Sequence, residues 1–252
     1  MLIKFLGTAG ARYVVAKQLR YSGGVYLECE GKKLILDPGP GTIVRMAKTK
    51  PPIDVTKIDG IILSHIHIDH SNDLNILIDG ITEGGKRKRG NIFLPAQALD
   101  KKEGVLFNYL KNFPERIIAI KEKSEYNVGK CKFRTSASHI HQVETYGIKF
   151  YTNKGIASFI VDTKFFPGLI GEYKESKLLI INAVLLENKK GVLHLSIKDT
   201  VELIERIKPE KAILTHFGMR LLMASPHKIA EKIRQKTGVA VIAASDGMTV
   251  TI

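Results

Sequence analysis

Hydrophobic positions along this chain fall into short β-branched and aliphatic runs, separated by stretches with the 3.6-residue repeat of surface helices. The opening Met1-Leu2-Ile3-Lys4-Phe5-Leu6-Gly7 reads as a strand entering a glycine turn. Residues 25–28 and 33–36 flank Glu30-Gly31-Lys32, whose glycine permits a hairpin. Asp37-Pro38-Gly39-Pro40-Gly41 then breaks the strand, a short helix is expected over 42–48, and Ile61-Ile62-Leu63 forms a buried strand that delivers a histidine-rich segment onto a loop. Ser71 or Asn72 is the expected cap of the next helix.

The second half follows the same grammar. A strand over 178–181 precedes a helix from about Ser196, with Val201, Ile204 and Ile207 on one face and a stop near Pro209. Ala212-Ile213-Leu214 leads as a strand into Thr215-His216-Phe217-Gly218. A last helix begins at Ser225-Pro226, a cap followed by a first-turn proline, and residues 239–243 return as a strand. Polar, chemistry-bearing residues recur where strands end, which is where an α/β sheet presents its ligands.

Composition narrows the class. With 252 residues, 44% of them apolar, and no linker or low-complexity tract, one compact domain over 1–252 is expected. No apolar run approaches the roughly 18 residues that span a bilayer, so no membrane partner is expected. Cys29 and Cys131 make neither a disulfide framework nor a thiolate zinc cluster, and a reducing cytoplasm fits them. The excess of 39 Lys and Arg over 25 Asp and Glu, a net +14, favours anionic partners, although a dispersed basic surface also serves solubility alone. Lys86-Arg87-Lys88-Arg89, set between glycines, is either a phosphate contact or a solvated loop.

The strongest chemical signal is His65-Ile66-His67-Ile68-Asp69-His70. Neutral imidazoles and a carboxylate suit divalent zinc, and side chains two apart on an extended segment point the same way. His65 and His67 therefore suit one ion, while Asp69 and His70 face a second.

Asp37 in Leu-Asp-Pro-Gly-Pro-Gly followed by the HxHxDH motif at 65–70 resembles the first two signature motifs of the metallo-β-lactamase superfamily. The later motifs follow in order, so the resemblance spans essentially the whole chain. His141, six residues before Gly147, matches the third, Asp162 in Val-Asp-Thr the fourth, and His216 in Thr-His-Phe-Gly the last. His139 competes with His141, but the spacing to Tyr146-Gly147 favours His141; His227 reads as surface.

The resemblance implies an α/β fold, a four-layer αββα sandwich. It also implies two divalent ions, zinc by default with manganese or iron also compatible. His65, His67 and His141 would hold one ion, and Asp69, His70 and His216 the other, with Asp162 bridging. Such a pair lowers the pKa of a shared water from 15.7 towards about 7, supplying a hydroxide nucleophile in which Asp69 takes a catalytic part. Asp37 either stands behind the ligands or fixes the Pro-Gly turn.

Departures from the motifs select a branch. His67 replaces the glutamate of di-iron flavoprotein reductases, and Asp162 replaces the cysteine of zinc β-lactamases. His194, 22 positions before His216, is placed as in ribonuclease Z and the cyclic phosphodiesterases related to the carbon–phosphorus lyase accessory enzyme, where this histidine reaches the phosphate. A capping or core position before the following helix is its alternative role. His141 and Asp162 lie only 21 positions apart, too close for the arm by which ribonuclease Z grips transfer RNA.

The expected activity is therefore hydrolysis of a small cyclic or nucleotide-like phosphodiester. Cleavage of a carboxyl ester, thioester or lactone on the same metal core is the alternative. Nucleic acid binding around an idle metal site and a homodimer stand as further expectations.

Overall fold

The computed structural model describes residues 1–252, with the side chain of Ala11 left out of the description. Six strands build most of a first sheet: β1 (Leu2–Phe5), β2 (Val25–Cys29), β3 (Lys32–Leu36), β4 (Gly60–Ile62), β5 (Asn91–Pro95) and β6 (Arg116–Ile120). A second sheet takes β7 (Glu125–Val128), β8 (Cys131–Ser138), β9 (Tyr146–Thr152), β10 (Gly155–Ile160), β11 (Ser176–Leu185), β12 (Leu195–Ser196), β13 (Lys211–Thr215) and β14 (Ala240–Ala243). The last strand, β15 (Thr249–Thr251), returns to pair antiparallel with β1.

Both sheets are buried on two faces, and the strand sequences show why. On β3, Leu34 and Leu36 point between the sheets while Ile35 points outward. On β11, Leu178 and Ile180 point inward, and Leu179 and Ile181 face helices. Alternating faces that are all apolar produce the continuous hydrophobic runs seen in the sequence. Three apolar layers result: one between the sheets and one under the helices on each outer face, which makes the expected four-layer sandwich.

Eight helices complete the layers: α1 (Ala11–Ala16), α2 (Thr42–Lys48), α3 (Ile68–Ser71), α4 (Leu74–Ile81), α5 (Gly168–Tyr173), α6 (Ile197–Ile207), α7 (Met219–Met223) and α8 (Pro226–Thr237). Helix α6 begins where expected, with a full capping box: Asp199 N–H donates to Ser196 Oγ at 3.2 Å, and Ser196 N–H donates to Asp199 Oδ2 at 2.9 Å. No helix among the described residues is long and apolar enough to cross a membrane.

Two helix starts differ from the sequence reading. The position before α4 is Asp73, not Ser71 or Asn72, because the histidine motif itself turns helical and absorbs Ser71 into α3. Asp73 does not cap its own helix; its carboxylate accepts from Gly41 N–H at 3.2 Å and Ile43 N–H at 3.0 Å, at the start of α2. Ser225 precedes Pro226 as expected but makes no side-chain cap. Its φ of +63° departs from the extended backbone that lets an N-cap hydroxyl fold back.

Candidate metal centre

Parallel pairing aligns the ends of the strands that carry the polar residues. Strands β3, β4 and β5 run parallel, as do β10, β11 and β13. Asp37 follows β3, His65 follows β4, Asp162 follows β10 and His216 follows β13. The loop after β8 adds His139 and His141 at the same end.

The motif 65–70 changes conformation halfway. His65 to His67 lie between β4 and α3, with His67 at the N-cap position of α3, so Asp69 and His70 lie on a helical turn rather than on a loop. The structure brings together His65, His67 and His141 in one group and Asp69, His70 and His216 in another, and within each group the donor atoms lie within 4.8 Å of one another. His141 Nε2 is 3.0 Å from His67 Nδ1, and His70 Nε2 is 3.3 Å from His216 Nε2.

Asp162 lies between the groups. Its Oδ2 is 3.9 Å from His65 Nε2, 3.6 Å from His70 Nε2 and 4.0 Å from His141 Nε2, while Oδ1 is 3.4 Å from His216 Nε2. Asn182, on β11, donates its amide to Asp162 Oδ1 at 2.8 Å. Sequence reasoning missed Asn182; its only signal was a polar residue inside an apolar strand.

Asp37 organises the opposite side. Its carboxylate accepts from Ser64 N–H and from Ser64 Oγ, both at 2.7 Å, and its Oδ2 lies 2.9 Å from His70 Nδ1. Ser64 Oγ in turn lies 2.9 Å from His65 Nδ1. This chain assigns the Nδ1–H tautomer to both histidines and leaves each Nε2 directed at the centre. Ser64 was also missed, since a serine beside a histidine motif carries no signal of its own. His141 is oriented alike, donating from Nδ1 to Leu193 O at 3.0 Å.

Two imidazole nitrogens are left over. His65 Nε2 and His194 Nδ1 are buried and have no hydrogen-bond partner, and His194 Nδ1 stands 3.5 Å from Asp162 Oδ2. Buried polar atoms are seldom left unpaired. The donor set, imidazole nitrogens with carboxylates, fits two borderline divalent cations.

The charges agree with that fit. Burial holds His65 far below its usual pKa, and burial also lowers His67 and brings His141 down to about 4. These rings are therefore neutral at pH 7, as ligation requires. His70 behaves oppositely: burial opposes its charge, but Asp69 and Asp37 overcome it and raise the pKa well above normal. Asp162 is held well below the usual carboxylate range, because the neighbouring His216 and His70 outweigh its burial. In the metal-free protein a proton on His70 thus stands where a cation would neutralise three carboxylates.

His139 sits outside the ligand groups. It is buried, with Nε2 2.8 Å from Tyr173 Oη and Nδ1 3.3 Å from Asp162 O, so it braces the segment after β10 that carries Asp162. Burial lowers its pKa from 6.5 to about 4. The unfolded chain therefore binds more protons between these values, and stability falls as pH drops through that window. Chelated protein unfolded in urea should lose on the order of 3 kcal/mol from His139 between pH 7 and pH 4. A pH profile unaltered in His139→Gln would contradict this.

The remaining candidates are also placed. His227 is exposed, 3.4 Å from Ser245 Oγ. The basic run lies at the other end of the first sheet: Gly90 precedes Asn91, which pairs with the first residue of β4, whereas the site follows the last. Arg89 is tied down there, donating to Thr56 O and to Ile58 O, and Arg87 pairs with Glu83 at 3.2 Å.

Comparison with known proteins agrees with this architecture. A family model described as "Beta-lactamase superfamily domain" matches residues 32–217. An uncharacterised protein, MJ1374, of Methanocaldococcus jannaschii is 31% identical over 99% of this chain and 94% of its own length. Ribonuclease Z of Methanopyrus kandleri is 23% identical over 100% of this chain and 98% of its own. Among solved structures, the metallo-β-lactamase fold protein YhfI of Bacillus subtilis superposes with a TM-score of 0.79 at 16% identity, covering 99% and 98% of the two chains. A diphosphatase of the PhnP family reaches 0.70 at 21% identity, covering 100% and 97%. Residues 32–217 contain every residue of both donor groups and Asp162, and on that match the chain belongs to the β-lactamase superfamily of metallo-β-lactamase-fold proteins.

Proposed function

We propose that this protein holds two divalent cations, zinc by default, and hydrolyses a phosphodiester. The observation that carries the metal reading is His65 Nε2, buried and unpaired at the meeting point of the two donor groups. Two such cations supply Lewis acidity to a phosphoryl oxygen and bring the pKa of water from 15.7 towards about 7.

The chain's own residues do the rest. Asp162 spans the two groups and sets their separation, with Asn182 fixing its rotation. Asp69, whose Oδ2 lies 3.6 Å from His216 Nε2, is placed to orient an attacking water by accepting its proton in a hydrogen bond. His194 supports the phosphoester reading, being partly exposed with Nδ1 aimed at the centre. Burial lowers its pKa, which keeps it neutral until an anionic phosphoryl group arrives and favours its protonated form. It can then deliver that proton to the leaving alkoxide. The relatives named ribonuclease Z and the diphosphatase neighbour act on phosphate esters or anhydrides by their names, and the net charge of +14 suits an anionic substrate.

His194→Ala should retain its bound metal while phosphodiester turnover falls by about 10² to 10⁴. Metal analysis and a panel of linear and cyclic phosphodiesters, phosphomonoesters, thioesters and lactones make the test. Full metal with unchanged turnover would remove His194 from the reaction, and preference for a thioester or lactone would overturn the substrate class.

A further inference from the structure

Among the residues of the two donor groups His216 alone has a left-handed φ, +59°, a conformation uncommon for a non-glycine residue. Its turn is packed against the loop at residues 7–10, between β1 and α1. Phe217 N–H donates to Thr8 O at 2.9 Å, and Gly10 N–H donates to Phe217 O at 3.0 Å. The fit leaves no room for a side chain: a Cβ on Gly10 would lie 2.0 Å from His216 O, and one on Gly7 2.2 Å from Tyr21 O.

The loop is itself tied down from a distant part of the chain. Asp246, in the turn between β14 and β15, accepts from Thr8 Oγ1 at 2.7 Å through one oxygen and from Tyr21 N–H at 2.8 Å through the other. The same turn is anchored by Gly247 N–H, which donates to Phe5 O at 2.7 Å.

We propose that Asp246 is a positioning residue whose carboxylate, through Thr8, holds the 7–10 loop against Phe217 and so keeps His216 in the turn that directs its imidazole at Asp69 and His70. A charge-assisted hydrogen bond at each oxygen is among the stronger polar contacts available. Asp246 is hydrogen-bonded to Thr8 and Tyr21 and to none of the donor residues, so its effect on the centre travels through the segments it ties down. The inference rests on the reading of His216 as a cation ligand.

The test titrates chelated protein with Zn²⁺ and follows amide hydrogen exchange in the metal-free state. His216→Ala identifies which of the two equivalents His216 holds. Asp246→Ala should weaken that equivalent by about tenfold and leave the other within about twofold. Thr8→Val should act in the same direction, and Thr8→Ser, which keeps the hydroxyl, should restore parental affinity. Exchange at the Phe217 and Gly10 amides should quicken in Asp246→Ala. Two equivalents bound as tightly as in the parent, or both weakened alike in step with a lower Tm, would overturn the proposal. Should the parent take up no Zn²⁺, the metal reading fails by itself, and unchanged exchange at Phe217 and Gly10 is then what overturns the latch.

Discussion

Asp162→Asn is expected to leave the protein with less than about one equivalent of tightly bound divalent ion and to cut turnover by at least about a hundredfold, since partners that merely support ligands already cost 10–100-fold. The carboxylate lies within 4.0 Å of ring nitrogens from both donor groups, so its loss reaches both directly. Asparagine keeps the shape. It does not keep the charge, and if its carbonyl stays with the Asn182 amide its NH₂ group faces the centre, where it has no lone pair to offer a cation. Loss of the charge should also lower the pKa of His70, which Asp162 helps to raise through a hydrogen bond. Metal analysis together with an NMR titration of His70 checks both effects. Two ions held at parental affinity in Asp162→Asn would show that the carboxylate is not shared.

Removing the ions should lower the Tm by roughly 10 °C at pH 7. Two ions, each present at about thirty times its Kd, together contribute about 4 kcal/mol, and a domain of this size loses roughly 2–4 °C per kcal/mol. The physical cost lies in what the ions would leave behind: Asp37, Asp69 and Asp162 close together, and His65 Nε2 buried without a partner. His70 sets the pH dependence. Its raised pKa lets the metal-free protein take up a compensating proton, whereas ligation requires the neutral ring. The gap between metal-loaded and metal-free Tm should therefore narrow as pH falls. Calorimetry with and without chelator measures it, and Asp162→Asn should show little of the shift. A Tm insensitive to chelation in the parent would mean that the folded state does not bind the ions preferentially.

These expectations join residues that lie far apart in the chain, and the sequence revealed them unevenly. His65, His67, Asp69 and His70 announce themselves because one apolar strand ends in four potential donors, a pattern that costs stability unless it is satisfied. His141 and His216 are single histidines and could be placed only by their order in a familiar series of motifs. Ser64 and Asp246 were silent, and Asn182 showed only as a polar residue inside an apolar strand. Each is a common polar residue whose partner lies 20 or more positions away, and no local periodicity records such a pairing.

The local chain decided most of the strands and the helix faces, because an apolar face must be buried and its spacing reveals which element carries it, whereas the four layers were implied only by the resemblance of the motifs. It also decided the kind of chemistry, since imidazole and carboxylate clusters are matters of composition and spacing. Only the tertiary structure decided which nitrogens converge, because ring tautomers follow from partners such as Ser64, Asp37 and Leu193 supplied by other elements. It turned half of the histidine motif into a helix, set His139 against Tyr173 and away from the donor groups, moved the basic run to the far end of the sheet, and bound His216 to a loop more than 200 residues earlier. Those outcomes depend on packing between segments, and packing exists only once the chain has closed on itself.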